Sequence, residues 1–177
     1  MITKWNFQTP TEEELHKRDR LASQLGLSPV VCLLLVQRGL TTVEEVKKFF
    51  KPSLNDLHDP FLMPDMEKAV KRLNKALGNK EKILIYGDYD VDGTTAVSLV
   101  YKYLRPYSSA LDYYIPDRYD EGYGISYKGI NYARENGITL AISLDCGINH
   151  TKRSKYAKQL GIDFIICDHH IRTTHCP

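Results

Sequence analysis

The residues best suited to chemistry stand in three short clusters. Asp88, Asp90 and Asp92 alternate at the end of Ile83-Leu84-Ile85-Tyr86-Gly87, Asp145 follows Leu140-Ala141-Ile142-Ser143-Leu144, and Asp168-His169-His170 follows Asp163-Phe164-Ile165-Ile166-Cys167. The run before each cluster is short and apolar, the pattern of a buried strand. The acids therefore stand where strands leave a sheet, the edge at which open α/β sheets place their ligands. If the three ends lie side by side, several carboxylates share one small volume. Two bare carboxylates about 5 Å apart at an effective dielectric of ~20 repel by roughly 3 kcal/mol. Such a cluster needs protons or cations, and divalent metal is the better remedy at neutral pH. Carboxylates joined by imidazole suit Mn²⁺ or Mg²⁺, with the imidazole favouring manganese. Two ions ~3.5–4 Å apart would bind a phosphate, acidify a water and stabilise a leaving oxygen.

The elements that must position these clusters follow an alternating pattern. Pro64-Asp65 opens a helix with Met66, Ala69, Val70, Leu73 and Leu77 on one face, closed by Gly78. The strand at 83–86 comes next, then a helix over Thr94–Leu104. Leu111–Ile115 is a second strand, and Pro116–Gly124 a loop. Ser126 caps a helix ending near Gly137, and the 140–144 strand follows. Asn149 or His150 caps a helix carrying Arg153, Tyr156, Ala157 and Leu160, stopped by Gly161. The 163–167 strand completes the series. Strands alternating with helices of this length predict βαβ units, hence an α/β fold with a parallel sheet flanked by helices.

Ahead of this core, residues 11–50 read as a small helical unit. Thr11 with Glu14 and Thr42 with Glu45 are capping boxes, and Ser28-Pro29 starts the middle helix. The helix-turn-helix rhythm raises a DNA-reading role, but no basic stripe marks a recognition helix. Helices packed on a neighbouring domain are the better expectation. A polar, proline-punctuated linker follows from Lys51 to Pro60. The expected organisation is thus 1–60, helical unit and linker, and 61–177, the α/β core.

Three readings of the aspartate loop compete. Asp88-x-Asp90-x-Asp92-Gly93 opens like a calcium-binding EF-hand loop, but the twelfth position, which needs a glutamate, is Leu99. Asp90-Val91-Asp92-Gly93-Thr94 resembles the signature of haloacid-dehalogenase-type phosphatases, in which Asp90 would be a nucleophile. That reading lacks the later lysine and acidic pair and leaves Asp168-His169-His170 unexplained. The third reading, a pair of divalent ions, uses every cluster.

Four stretches carry a specific resemblance: Gly87–Gly93, Tyr114-Ile-Pro-Asp-Arg-Tyr-Asp-Glu-Gly-Tyr-Gly124, Leu144-Asp-Cys-Gly147 and Cys167-Asp-His-His170. Together they resemble the DHH phosphoesterase family, in its RecJ-type branch of single-strand-specific 5′→3′ DNA exonucleases. Arg38-Gly39 and Leu57-His-Asp-Pro60 are similar as well. The resemblance implies a Rossmann-like fold, two Mn²⁺ or Mg²⁺ ions, and hydrolysis of single-stranded DNA from its 5′ end to 5′-mononucleotides, in DNA repair and recombination. It implies Asp90 and Asp92 as ligands of different ions, Asp145 bridging them, His169 as a ligand and His170 at the scissile phosphate. It also implies Asp88 as an extra ligand or outer base, and Asp168 as orienting a histidine. Tyr86 stands where many members have a histidine, and Asp88 is expected to compensate.

Arg118 is the implied clamp for a 5′-terminal phosphate, against a surface salt bridge to Asp117, Asp120 or Glu121. Tyr119 and Tyr123 are candidates to stack on unpaired bases, or else to anchor the loop. Gly122 and Gly124 would let that loop approach a strand closely. Lys152, Arg153, Lys155 and Lys158 fit a backbone track less well than a solvated helix face.

Composition sets wide bounds. The chain has 177 residues, 24 basic against 22 acidic, for a net charge of +2. That balance neither favours nor excludes nucleic acid. Cys32, Cys146, Cys167 and Cys176 form no CxxC pair and read as small buried residues of a reducing cytoplasm. No secretion signal or membrane span is visible, and a monomer is expected. The family continues past the last histidine with another acidic ligand, a second domain and a nucleic-acid-binding barrel, regions through which helicase or single-strand-binding partners would act. The tail Ile171–Pro177 does not follow that continuation. A truncated or frameshifted chain is therefore expected, with a remnant lacking turnover as the alternative. Intact Asp90, Asp92, Asp145 and His169 argue against that alternative.

Overall fold

The computed structural model of the chain describes residue 4 and residues 8–171. The tail expected to diverge from the family, with Cys176, lies outside the described residues from 172 onward. Two compact units make up the chain, Met1–Pro60 and Phe61–Pro177.

The first unit holds three helices, α1 (Glu12–Leu25), α2 (Pro29–Gln37) and α3 (Val43–Phe50). Both capping boxes form: the Thr11 and Thr42 side chains accept from the third residue of their helices, and Glu14 and Glu45 reach back to the cap. Ser28 precedes α2 without a side-chain cap bond, because Pro29 already fits the first turn. Leu21, Cys32, Leu35, Val36 and Val46 form the buried centre. The expected linker contains one short 3-10 turn, Leu54–Asp56, and a second, Pro60–Leu62, begins at its last residue. Asp56 causes the first by accepting from the Ser53 N–H at 2.8 Å.

In the second unit, α4 (Met66–Gly78) leads into β1 (Ile83–Gly87), α5 (Val91–Leu104), β2 (Leu111–Tyr114), α6 (Tyr127–Glu135), β3 (Leu140–Leu144), α7 (Thr151–Gln159) and β4 (Asp163–Cys167). The four strands form one parallel sheet in the order β2-β1-β3-β4. β1 and β3 are buried along their whole length, as central parallel strands covered on both faces must be. Ile83 and Ile85 face Ala76 of α4 with Val97 and Leu104 of α5. Leu84 and Tyr86 face Ile130 and Ala133 of α6 and Ala157 of α7. Arg72 on α4 ties the amino edge of the sheet together, bonding Glu81 at 2.9 Å and Asp163 at 2.7 Å.

Three details differ from the sequence reading. Helix α5 begins at Val91 rather than Thr94, because Asp90 accepts from Gly93 N at 2.9 Å and caps it. Asp92 and Gly93 thus belong to a helical first turn, which removes any EF-hand loop. Helix α4 includes Gly78, and the left-handed residue after it is Lys80, φ 55°. Cys32 and Cys146 are buried as expected, but Cys167 is exposed because it ends an edge strand.

Glycine sets the fit of α5 against β1. A Cβ on Gly93 would stand 2.5 Å from Asp88 O and 2.6 Å from Asp88 N. Both are backbone atoms that cannot turn aside. Gly93→Ala is therefore expected to destabilise the second unit by about 1–3 kcal/mol through overpacking. Gly78→Ala, with nothing within 4 Å of the added carbon, should stabilise helix α4 by roughly 0.5–1 kcal/mol. Urea unfolding of the two variants checks both signs.

Candidate metal centre

The strand order decides what the acids can do. β1, β3 and β4 are neighbours and all run the same way, so Asp88, Asp145 and Asp168, each one residue past its strand, emerge along one edge. Asp90 joins them through the tight turn from β1 to α5. Its charge, with that of Asp145, bears on Asp88 and on His170.

Each acid is held differently. Asp88 is 1% exposed, and its Oδ1 accepts from Gly124 N at 3.2 Å. Its Oδ2 is buried and has no hydrogen-bond partner among the described residues. Burial pushes this carboxyl above the usual range, against hydrogen bonds from the Gly124 and Tyr89 N–H groups, and the Asp90 and Asp145 charges push it further. Asp145 adopts φ 61°, the left-handed region that aspartate tolerates better than most residues. Hydrogen bonds on both sides fix it there: its N–H donates to Cys167 O at 2.8 Å, and its carbonyl accepts from the Tyr123 hydroxyl at 2.9 Å. Its carboxylate turns toward His169, Oδ1 to Nε2 3.0 Å.

Asp168 is spent on its neighbours. It accepts from Ile148 N at 2.9 Å, from His170 N at 3.0 Å and from His170 Nδ1 at 2.7 Å. Burial works to raise this carboxyl, but those hydrogen bonds outweigh it and hold the group below the usual range. The same contact with Asp168 raises the His170 imidazole. Asp145, His169 and His170 each offer a ligand atom, and these atoms lie within 4.8 Å of one another. Asp90 spends Oδ1 on the cap of α5, and Asp92 is exposed in the first turn.

The loop from Ile115 to Ser126 borders this edge, and buried groups pin it. The fully buried Tyr86 donates its hydroxyl to Gly124 O at 3.0 Å and accepts from Ser126 N at 3.0 Å. Glu121 accepts from the Tyr114 hydroxyl, from Asp117 N at 2.9 Å and from Ser126 Oγ at 2.5 Å. Burial, then the bond to Glu121, push the Tyr114 phenol up to about 12. Sequence reading missed Glu121 as an anchor, and only its place between two tyrosines and a capping serine hinted at it.

The loop residues singled out from sequence fall in different places. Arg118 is exposed, and among the described residues no ion pair joins it to Asp117, Asp120 or Glu121. Its guanidinium instead lies over the Tyr89 ring, 5.2 Å from the centroid. Asp117 is exposed and accepts from Tyr119 N and Asp120 N of its own loop. Tyr119 is 92% exposed. Tyr123 bridges the Asp145 carbonyl and the His170 ring. Gly122, φ 74°, and Gly124, φ 81°, both use left-handed backbone. Gly124 is buried, with the His150 imidazole against its Cα and its N–H donating to Asp88 Oδ1.

The DHH family, N-terminal domain, matches residues 82–177. The single-stranded-DNA-specific exonuclease RecJ of Bacillus subtilis is 41% identical over 167 residues, 94% of this chain and 21% of that protein. RecJ of Escherichia coli is 32% identical over 147 residues, 82% of this chain and 25% of that protein. The chain thus spans about a fifth to a quarter of the length of these relatives. A crystal structure of exonuclease RecJ bound to manganese superposes with a TM-score of 0.58 at 30% identity, over 66% of this chain and 30% of the other. RecJ from Thermus thermophilus in complex with Mn²⁺ shares the fold, TM-score 0.65 at 23% identity, over 92% of this chain and 22% of the other. Among the described residues no helix is long and apolar enough to cross a membrane. The chain belongs to the DHH family, in its RecJ-type branch, and carries that family's N-terminal domain.

Proposed function

We propose that this chain forms the metal-holding side of an exonuclease that hydrolyses single-stranded DNA from its 5′ end to 5′-mononucleotides. The observation that carries the reading is the gathering of Asp88, Asp90, Asp145 and the Asp168-His169-His170 tip along one sheet edge. The donor set fits a hard divalent cation, because carboxylate oxygens dominate and imidazole adds a manganese preference. The buried, unpartnered Asp88 Oδ2 fits the same view, since a carboxylate oxygen rarely goes dry without a cation or a donor. Manganese in the solved RecJ structures supports it further.

Asp88, Asp90, Asp92, Asp145 and His169 would hold two ions, Mn²⁺ or Mg²⁺. When bound, the ions supply charge for the phosphate and a water acidic enough to attack at neutral pH. The protein's own groups do the rest. Asp168 fixes the His170 ring through Nδ1 and favours its charged form, which suits a contact with a phosphate oxygen. Tyr123 steadies the left-handed Asp145 from the loop side. Arg118, with no carboxylate partner among the described residues and backed by Tyr89, presents a planar fork of donors that matches a terminal phosphate. A phosphatase using Asp90 as nucleophile fits poorly, because it leaves the Asp168-His169-His170 tip without a role.

Two measurements test this. The first is Mn²⁺-dependent release of nucleotides from 5′-phosphorylated single strands. Asp90→Asn keeps an acceptor for the Gly93 N–H and removes the charge, so release should slow by about 100-fold or more while thermal unfolding without metal is unchanged. Equal rates in the variant, or release without metal, would overturn the assignment. The second reads metal alone, by chemical unfolding with and without Mn²⁺. The native chain should gain about 2.7 kcal/mol at a hundredfold excess over Kd, and Asp145→Ala or His169→Ala should gain far less at the same concentration.

A further inference from the structure

His150 is half-buried at the N-cap of α7, yet its side chain makes no cap bond there. Its Nδ1 is buried and has no hydrogen-bond partner among the described residues. What the ring does make is contact. Gly124 has left-handed backbone, φ 81°, and a Cβ on it would overlap His150 Cε1 and stand 3.1 and 3.2 Å from the two ring nitrogens. The imidazole therefore occupies the space that any side chain at 124 would need. Burial, then the Arg153 charge, hold this imidazole below its ordinary range, against the pull of Asp168. At neutral pH it packs as an uncharged ring.

The turn under that ring carries ties to the acidic edge. Gly124 N–H donates to Asp88 Oδ1 at 3.2 Å, and Gly124 O accepts from the buried Tyr86 hydroxyl at 3.0 Å. Tyr123, one residue earlier, donates to Asp145 O at 2.9 Å, and its ring lies 6.4 Å from that of His150, centroid to centroid. The His150 backbone is itself fixed: its N–H donates to Gly147 O at 2.9 Å, and its carbonyl accepts from Ser154 N at 3.0 Å. The chain from Asp145 to His150, the ring against Gly124 and the Tyr123 bond back to Asp145 close a circuit. Its weak member is Gly124, because a glycine has the most backbone freedom to lose and no side chain of its own to hold a turn.

We propose that His150 is a positioning residue: its ring wedges the turn at Gly124 and, through that turn, sets Asp88 on one side and Asp145 on the other. The requirement is for a flat ring of this size, since no hydrogen bond of Nδ1 is involved. The consequence for metal rests on the exonuclease reading above, whereas the wedge itself does not.

Two measurements on the full chain test this. The first is amide hydrogen exchange without metal. In His150→Ala the Gly124 N–H should exchange about tenfold faster or more, while amides of β3 such as Ile142 keep their native rates. His150→Phe, which keeps a flat ring, should restore slow exchange at Gly124. The second is titration with Mn²⁺ alone. Kd should rise about tenfold in His150→Ala, the usual effect of losing a group that orients a metal ligand, and stay within about twofold of native in His150→Phe. The proposal fails if Gly124 exchange is unchanged in His150→Ala, or if Ile142 loosens as much as Gly124. It also fails if His150→Phe behaves like His150→Ala, or if His150→Ala binds Mn²⁺ as the native chain does. A native chain that binds no Mn²⁺ while Gly124 responds as expected would instead defeat the exonuclease reading and leave the wedge standing.

Discussion

Like charges crowd at one edge of a parallel sheet, and the fold has to hold them there. Asp88, Asp145 and Asp168 each stand one residue past a strand, and the strands are neighbours, so the carboxylates come together without any loop having to reach. Their mutual repulsion is visible in the molecule: the Asp90 and Asp145 charges add to the burial that lifts the Asp88 carboxyl. Few basic side chains answer them from within. His169 faces Asp145 and His170 faces Asp168, and both are side chains that also ligate metals. An edge of this kind has to be held in place by its scaffold.

The scaffold uses ordinary bonds in a dense arrangement. Asp145 keeps its left-handed backbone because β4 accepts its N–H and Tyr123 donates to its carbonyl. Tyr86 and Glu121, neither of them at the edge itself, anchor the bordering loop through buried hydrogen bonds at Gly124, Ser126, Tyr114 and Asp117. Buried polar groups of this sort are costly if left half-satisfied, so the loop has one favoured position rather than several. Asp88 serves the loop and the edge together, with one oxygen on Gly124 N and the other unpartnered. That division explains how one buried carboxylate can be both a structural tie and a candidate ligand.

Tyr86, two residues before Asp88, has a different task. Its ring stacks on Tyr114, 5.4 Å between centroids, and its hydroxyl serves the loop, so it is committed to the core and does not face the acids. Asp88, just past the end of the strand, is the group on which the Asp90 and Asp145 charges act. The tight fit of α5 follows from the same economy of space. Gly93 lies against the Asp88 backbone, which brings the capped end of the helix, with Asp90, beside the strand tips.

Much of this was legible in the amino-acid order, because strands and helix caps are local. The apolar runs at 83–87, 140–144 and 163–167, the capping threonines and the acids that follow each run depend on near neighbours, and they form as read. The start of α5 was misread because an aspartate that looks like a ligand is equally a helix cap, and residue type alone does not choose between them. The order of strands, the left-handed turn at Asp145, the inward commitment of Glu121 and Gly124 and the perch of Arg118 on Tyr89 were hidden for one reason. Each depends on groups far apart in the chain meeting in space, and a linear pattern records which groups are present without recording which of them touch. The chain's order therefore settled the kinds of chemistry on offer and the elements carrying them, whereas packing settled which side chains work at the edge and which hold it in place.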